Sequence, residues 1–204
     1  MADTTEIRFY FAYTSPFTYL AMEPAYALER SHHVHLRFIP YGVNIRRVYG
    51  DVPTRSHRDA LKVKYLYLDV RRFARERGLT IYPPKKIYSA RFAFYAGMCA
   101  EDQGLFRSYA DRVFERFWKY ELDVESAPAL SAILTAVGAT TDKFLSYVGD
   151  ETTEAKPRLK QCFAEADRDQ VLGVPTFVID GERFWGYDRM DWLIEKLDAM
   201  NLRR

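Results

Sequence analysis

Tyr13-Thr14-Ser15-Pro16-Phe17-Thr18-Tyr19-Leu20-Ala21 is the stretch on which the reading of this chain turns. It follows the apolar run Ile7-Arg8-Phe9-Tyr10-Phe11-Ala12 and opens a helical apolar pattern. That order predicts a strand, a tight turn and a helix start. Ser15 falls where an N-cap belongs, and Pro16 takes the first helical position, where its missing N–H costs nothing. A hydroxyl there sits in the positive field of the helix start, a place that stabilises an anion, a thiolate included. Ser15 also has a plainer reading as a cap and nothing more.

Outward from this stretch, residues 6 to 12 read as a buried strand and 16 to 31 as a helix. Phe17, Leu20, Ala21, Ala25 and Leu28 share one face of that helix, and Pro24 is expected to kink it. Val34-His35-Leu36-Arg37-Phe38-Ile39 alternates and reads as a second strand. A βαβ unit makes the two strands parallel neighbours. At the other end, Val174-Pro175-Thr176-Phe177-Val178-Ile179 reads as a strand. Asp180-Gly181 is a hairpin turn, and Glu182-Arg183-Phe184-Trp185 is the returning strand. A last helix runs from 188 to 200, with Tyr187-Asp188 at its start.

Between the two ends the pattern is helical, after a loop over 41 to 54. Helices are expected at 56–77, 86–102, from Leu105 to Trp118, from Ser126 to Gly138, from a Thr141 cap to Val148, and at about 153–172. From 55 to 77 there are eight Lys or Arg against three acids, the pattern of a solvated helix face. Neither sheet fragment buries its own faces. One four-stranded mixed sheet from both chain ends, with the helices inserted, satisfies them together. This is an α/β thioredoxin fold, with 1–44 and 171–204 forming the thioredoxin-like domain and 45–170 an inserted all-α domain.

The 204 residues are 48% hydrophobic and 16% aromatic, enough for a core with thick aromatic packing. Thirty basic and 28 acidic residues leave a net charge of +2, which gives no argument for nucleic acid. No apolar run approaches a membrane span, and the polar start Asp3-Thr4-Thr5-Glu6 is not a signal peptide, so a cytoplasmic protein is expected. Cys99 and Cys162 lie far apart with no metal or redox spacing, and read as reduced thiols.

The opening motif Phe9-Tyr10-Phe11-Ala12-Tyr13-Thr14-Ser15-Pro16-Phe17-Thr18-Tyr19-Leu20-Ala21 resembles the N-terminus of 2-hydroxychromene-2-carboxylate isomerases and kappa-class glutathione transferases. These form part of the DsbA-like branch of the thioredoxin superfamily. The run from Gly173 to Met190 is similar to the C-terminal signature of the same family. Lys62-Val63-Lys64-Tyr65, Asp69 and Arg72-Phe73-Ala74 resemble its first inserted helix.

The resemblance implies a glutathione cofactor. Ser15 stands where redox relatives carry the first cysteine of C-x-x-C, and Thr18 takes the fourth position, so disulfide exchange through this motif is excluded. Ser15 would be the catalytic residue, its hydroxyl favouring the glutathione thiolate. Val174-Pro175 matches the cis-proline pair on which the cysteinyl unit docks as an added strand. Tyr187 and Asp188 would receive the γ-glutamyl end, although Asp188 also reads as a simple N-cap. Lys62 would meet the glycine end, although it also reads as a surface lysine.

The sequence departs from the family pattern at Gly50-Asp51, in the short Tyr82-Pro83-Pro84-Lys85-Lys86 segment and at Gln170, all on the acceptor-substrate side. Tyr10, Tyr13, Phe17 and Trp185 are candidates for an aromatic wall, and Arg46 or Arg47 for a substrate carboxylate. The resemblance implies a glutathione-dependent isomerase of an aromatic-degradation intermediate, with a small aromatic substrate and a homodimeric assembly. A kappa-like transferase or peroxidase is the alternative chemistry. A non-catalytic thioredoxin-fold peptide-binding protein is the alternative of another class.

Overall fold

The computed structural model describes residues 4–42, 48, 50, 52–152 and 154–204. Four strands form one mixed sheet: β1 (Thr5–Phe11), β2 (Val34–Pro40), β3 (Thr176–Ile179) and β4 (Glu182–Trp185), in the order β2-β1-β3-β4. β1 pairs parallel with β2, as the intervening helix α1 (Pro16–Ser31) requires, and antiparallel with β3. The β3–β4 hairpin closes on Asp180 and Gly181, at φ of 50° and 75°, the two left-handed residues of a tight turn. Helix α1 runs without interruption through Pro24.

The chain divides into two compact units, 1–43 with 160–204, and 44–159. The second boundary lies at 159/160 rather than 170, within a helix. In the first unit, Phe9 stacks on Phe177 at 4.3 Å and meets Phe38 at 5.4 Å, and Tyr26 of α1 lies edge-on to Phe38. Elsewhere in the sheet, Tyr10, Ile39 and Val178 pack with Ala166 and Val171. Ala166 belongs to the helix Ala155–Arg168, which is why the end of that helix belongs with the sheet. The C-terminus is tied to the α1–β2 junction by His33 N–H to Leu202 O (2.6 Å) and Arg204 N–H to Ser31 O (2.9 Å).

Helices α2 (His57–Glu76), α3 (Arg91–Glu101), α4 (Phe106–Trp118), α5 (Ala127–Ala136) and α6 (Asp142–Gly149) belong to the second unit, and α7 (Ala155–Arg168) begins there. Helix α3 is its centre. Residues Ala93 to Ala100 are all buried, and α4, α5 and α6 pack around it. The expected start of α3 at 86 falls instead at 91, because the stretch before it is held extended by the Ser89 N–H on Glu125 (2.8 Å). Ser56 and Ser126 cap α2 and α5 through Asp59 N–H and Ala129 N–H. Thr141 precedes α6 but makes no side-chain cap bond. In the first unit a 3-10 turn at Tyr187–Arg189 comes before the last helix, α8 (Met190–Ala199).

Candidate active site

The site is built where β1 hands over to α1. Ser15 is extended, with φ −99° and ψ 116°, and its Oγ accepts the Thr18 N–H at 3.2 Å. The same hydroxyl donates to the Val174 carbonyl at 3.3 Å, across 159 residues of sequence. One side chain therefore caps the helix and touches the loop before β3. The Val174-Pro175 peptide is cis. Val174 is half-buried, and its N–H has no hydrogen-bond partner among the described residues. Thr18 is wholly buried, and its hydroxyl likewise lacks a partner among the described residues.

The rest of this loop is fixed by contact. The Pro175 carbonyl accepts the Gly186 N–H at 2.9 Å, and Thr176 Oγ1 donates to Gly173 O at 2.7 Å. Gly173 has no room for a side chain, since an added Cβ would lie 2.9 Å from Trp185 Nε1. Trp185 is thus an exposed indole laid on the residue before Val174. Gly186, at φ 121°, starts the 3-10 turn, which packs against α1. Asp188 pairs with Arg189 at 3.0 Å, and its backbone N–H has no partner among the described residues.

Ser15, Val174, Pro175, Tyr187 and Asp188 all belong to the first unit. Ser15 and Val174 are in direct contact, and the turn holding Tyr187 and Asp188 lies along α1. Asp188 is not an N-cap: Gly186 precedes the 3-10 turn and Arg189 precedes α8. Lys62 belongs to the second unit, exposed on α2, with its ammonium 2.9 Å from Asp59. Arg46, Arg47 and Asp51 lie outside the described residues. The expected aromatic wall is reduced. Tyr10 and Tyr13 are wholly buried core residues, which leaves Phe17 and Trp185 accessible.

Tyr10 belongs to a polar cluster that the sequence reading missed. Arg8 and Arg37 face each other across the parallel β1–β2 pair. Arg8 takes Asp169 through two bonds of 2.6 and 3.0 Å, the Tyr10 hydroxyl also donates to Asp169, and Arg37 pairs with Glu165. The signal was present in Arg8, a cation inside an apolar strand, which requires an acid brought from elsewhere in the chain.

Neither cysteine joins the site. Cys99 is buried in α3, which pushes its thiol up to about 12, and Cys162 is half-buried on α7. Among the described residues no helix is long and apolar enough to cross a membrane.

A mixed four-stranded sheet with a serine-capped helix start against a cis-proline loop is the framework of a thioredoxin-fold protein. The chain belongs to the DSBA-like thioredoxin domain family, which matches residues 6–198. More particularly, it is 30% identical over 194 residues to the 2-hydroxychromene-2-carboxylate isomerase of Pseudomonas sp. (strain C18), covering 90% of this chain and 86% of that protein. It is 29% identical over 192 residues to the enzyme of the same name from Pseudomonas putida, covering 90% of each. A solved 2-hydroxychromene-2-carboxylate isomerase superposes with a TM-score of 0.78 at 24% identity, covering 96% of this chain and 95% of that one.

Proposed function

We propose that this protein is a glutathione-dependent isomerase acting on a 2-hydroxychromene-2-carboxylate-like intermediate of aromatic degradation. The relatives' activity supports the reaction class. The observation that carries the reading is the Ser15 hydroxyl, shared between the start of α1 and the Val174 carbonyl.

The residues fit a tripeptide thiol. Val174 offers an unpartnered N–H to an added strand, and Asp188 offers another at the 3-10 turn. Glutathione, when bound, supplies the sulfur nucleophile that such a reaction uses and regenerates.

Ser15 has one proton to give. The Thr18 N–H fixes its oxygen at 3.2 Å, while the bond to Val174 O is long at 3.3 Å and easily exchanged. Turning that proton toward a sulfur also frees the Val174 carbonyl, so donor and acceptor of one strand edge become available together. Lowering a thiol from about 8.5 by about two units requires about 2.7 kcal/mol. A charge-assisted hydrogen bond and the helix N-terminus supply a contribution of that size. Asp188 would accept the α-ammonium, leaving only an exposed ion pair to Arg189, of little strength.

The test is turnover of 2-hydroxychromene-2-carboxylate with and without glutathione. Isomerisation that requires glutathione is expected. Isomerisation at full rate without it overturns the cofactor assignment. Turnover of generic electrophiles alone overturns the isomerase assignment in favour of a kappa-like transferase.

A further inference from the structure

We propose that a pocket in the helical unit, walled by Tyr82, Tyr88, Phe117, Trp118, Tyr120 and Leu122, is a binding site for a single-ring aromatic carboxylate. None of these residues is assigned to glutathione, and the pocket stands independently of that assignment.

The pocket is formed between the extended stretch that precedes α3 and the end of α4. Both sides are tied. The Tyr82 N–H donates to Trp118 O at 3.0 Å, and the Tyr120 hydroxyl donates to Pro83 O. Lys86 and the Ser89 N–H both bind Glu125. The walls are two aromatic pairs. Tyr82 and Tyr120 stack with centroids 5.1 Å apart, and Tyr88 meets Phe117 edge-on at 5.2 Å. The pocket is open to solvent and has a volume of about 140 Å³. A cavity of about 150 Å³ takes one benzene ring.

Trp118 and Lys85 mark the two sides of the occupant's space. Trp118 is wholly buried, and its indole N–H has no partner among the described residues. Its ring lines the pocket, so the indole signal reports what occupies the space beside it. Lys85 lines the pocket with its ammonium 4.7 Å above the Tyr120 ring and has no acid partner among the described residues. The neighbouring Lys86 is taken by Glu125, and Asp123, also at the lining, has one carboxylate oxygen on the Glu125 N–H at 2.9 Å. The cation left for a ligand is therefore Lys85, already seated on an aromatic face. A flat ring laid against this aromatic wall, with a carboxylate toward Lys85, matches these features.

The test is a titration of the full chain, labelled with nitrogen-15 at its indoles, with 4-hydroxybenzoate, benzyl alcohol and benzylammonium. The chain has 3 tryptophans, so the Trp118 signal is assigned by its loss in Trp118→Phe. Expected is a saturable shift of the Trp118 N–H with 4-hydroxybenzoate, while Trp185 and Trp192 hold still. Lys85 and Tyr120 are exposed, so Lys85→Glu and Tyr120→Ala retain the fold. Lys85→Glu should weaken 4-hydroxybenzoate about tenfold, the effect of about 1.4 kcal/mol, and leave benzyl alcohol unchanged. Tyr120→Ala should weaken both. No saturable Trp118 shift at tens of millimolar overturns the proposal. So does binding indifferent to both variants, or benzylammonium binding as tightly as 4-hydroxybenzoate.

Discussion

Ser15 caps α1 and, in the proposed reaction, gives its proton to sulfur, two duties that substitution separates. Ser15→Ala removes the acceptor for the Thr18 N–H, and loss of such a cap costs about 1 kcal/mol in urea unfolding. Ser15→Asp keeps an acceptor at the helix start, where a negative charge is favoured, and should unfold within about 1 kcal/mol of wild type. It has no proton to donate at neutral pH, so isomerase turnover should fall as far as in Ser15→Ala. Wild-type turnover in Ser15→Asp would remove the hydroxyl proton from the chemistry. Gly186 supports the same site from the other side. Its φ of 121° suits glycine, and an added Cβ would lie 2.5 Å from Asp188 Oδ1. Gly186→Ala should cost about 1–3 kcal/mol, read by chemical denaturation, because backbone strain and displacement of Asp188 act together.

At the scale of elements, the β1–β2 pair places two cations opposite each other, and the end of α7 answers them. Burial raises the Asp169 carboxyl, but the Arg8 and Tyr10 hydrogen bonds outweigh burial, and the net effect holds it below the ordinary range. A carboxylate lowered in the folded state stabilises fully above its unfolded value, about 4, and loses that contribution as pH falls through the folded value. Wild-type stability should therefore drop below about pH 4, read as urea midpoints against pH. Asp169→Asn should lack this component and be less stable at neutral pH by about 1–3 kcal/mol, since it leaves Arg8 without its charge partner. Equal acid limbs in the two proteins would show that Asp169 is not the group that links them. Helix α2 is a different kind of element. Its Ser56, Asp59 and Lys62 satisfy one another at the surface, so its basic character does not itself mark a binding face.

At the scale of the whole molecule, the fold was legible because both chain ends carry strong local signals. The Asp180-Gly181 turn, the Ser15-Pro16 helix start and the alternation in β2 each have one local solution. Gln170, at φ 53°, holds a left-handed backbone conformation that favours glycine. Less legible were features set by distant partners. The start of α3 depends on Glu125, 36 residues from Ser89, and the burial of Tyr10 depends on Asp169. Their periodicity and composition were compatible with a helix start at 86 and an aromatic wall, and only the tertiary contacts decide otherwise. The Ser15 and Val174-Pro175 motifs of the candidate site stood out in the sequence, whereas the hydroxyl-to-carbonyl contact between them is visible only in three dimensions.

The most direct measurement is a calorimetric titration of glutathione into wild type and Ser15→Ala, with the ultraviolet thiolate absorbance of each complex recorded at neutral pH. The account predicts micromolar-to-millimolar binding by both proteins, with thiolate absorbance in the wild-type complex alone. No binding by wild type, or equal thiolate in the two complexes, would contradict it.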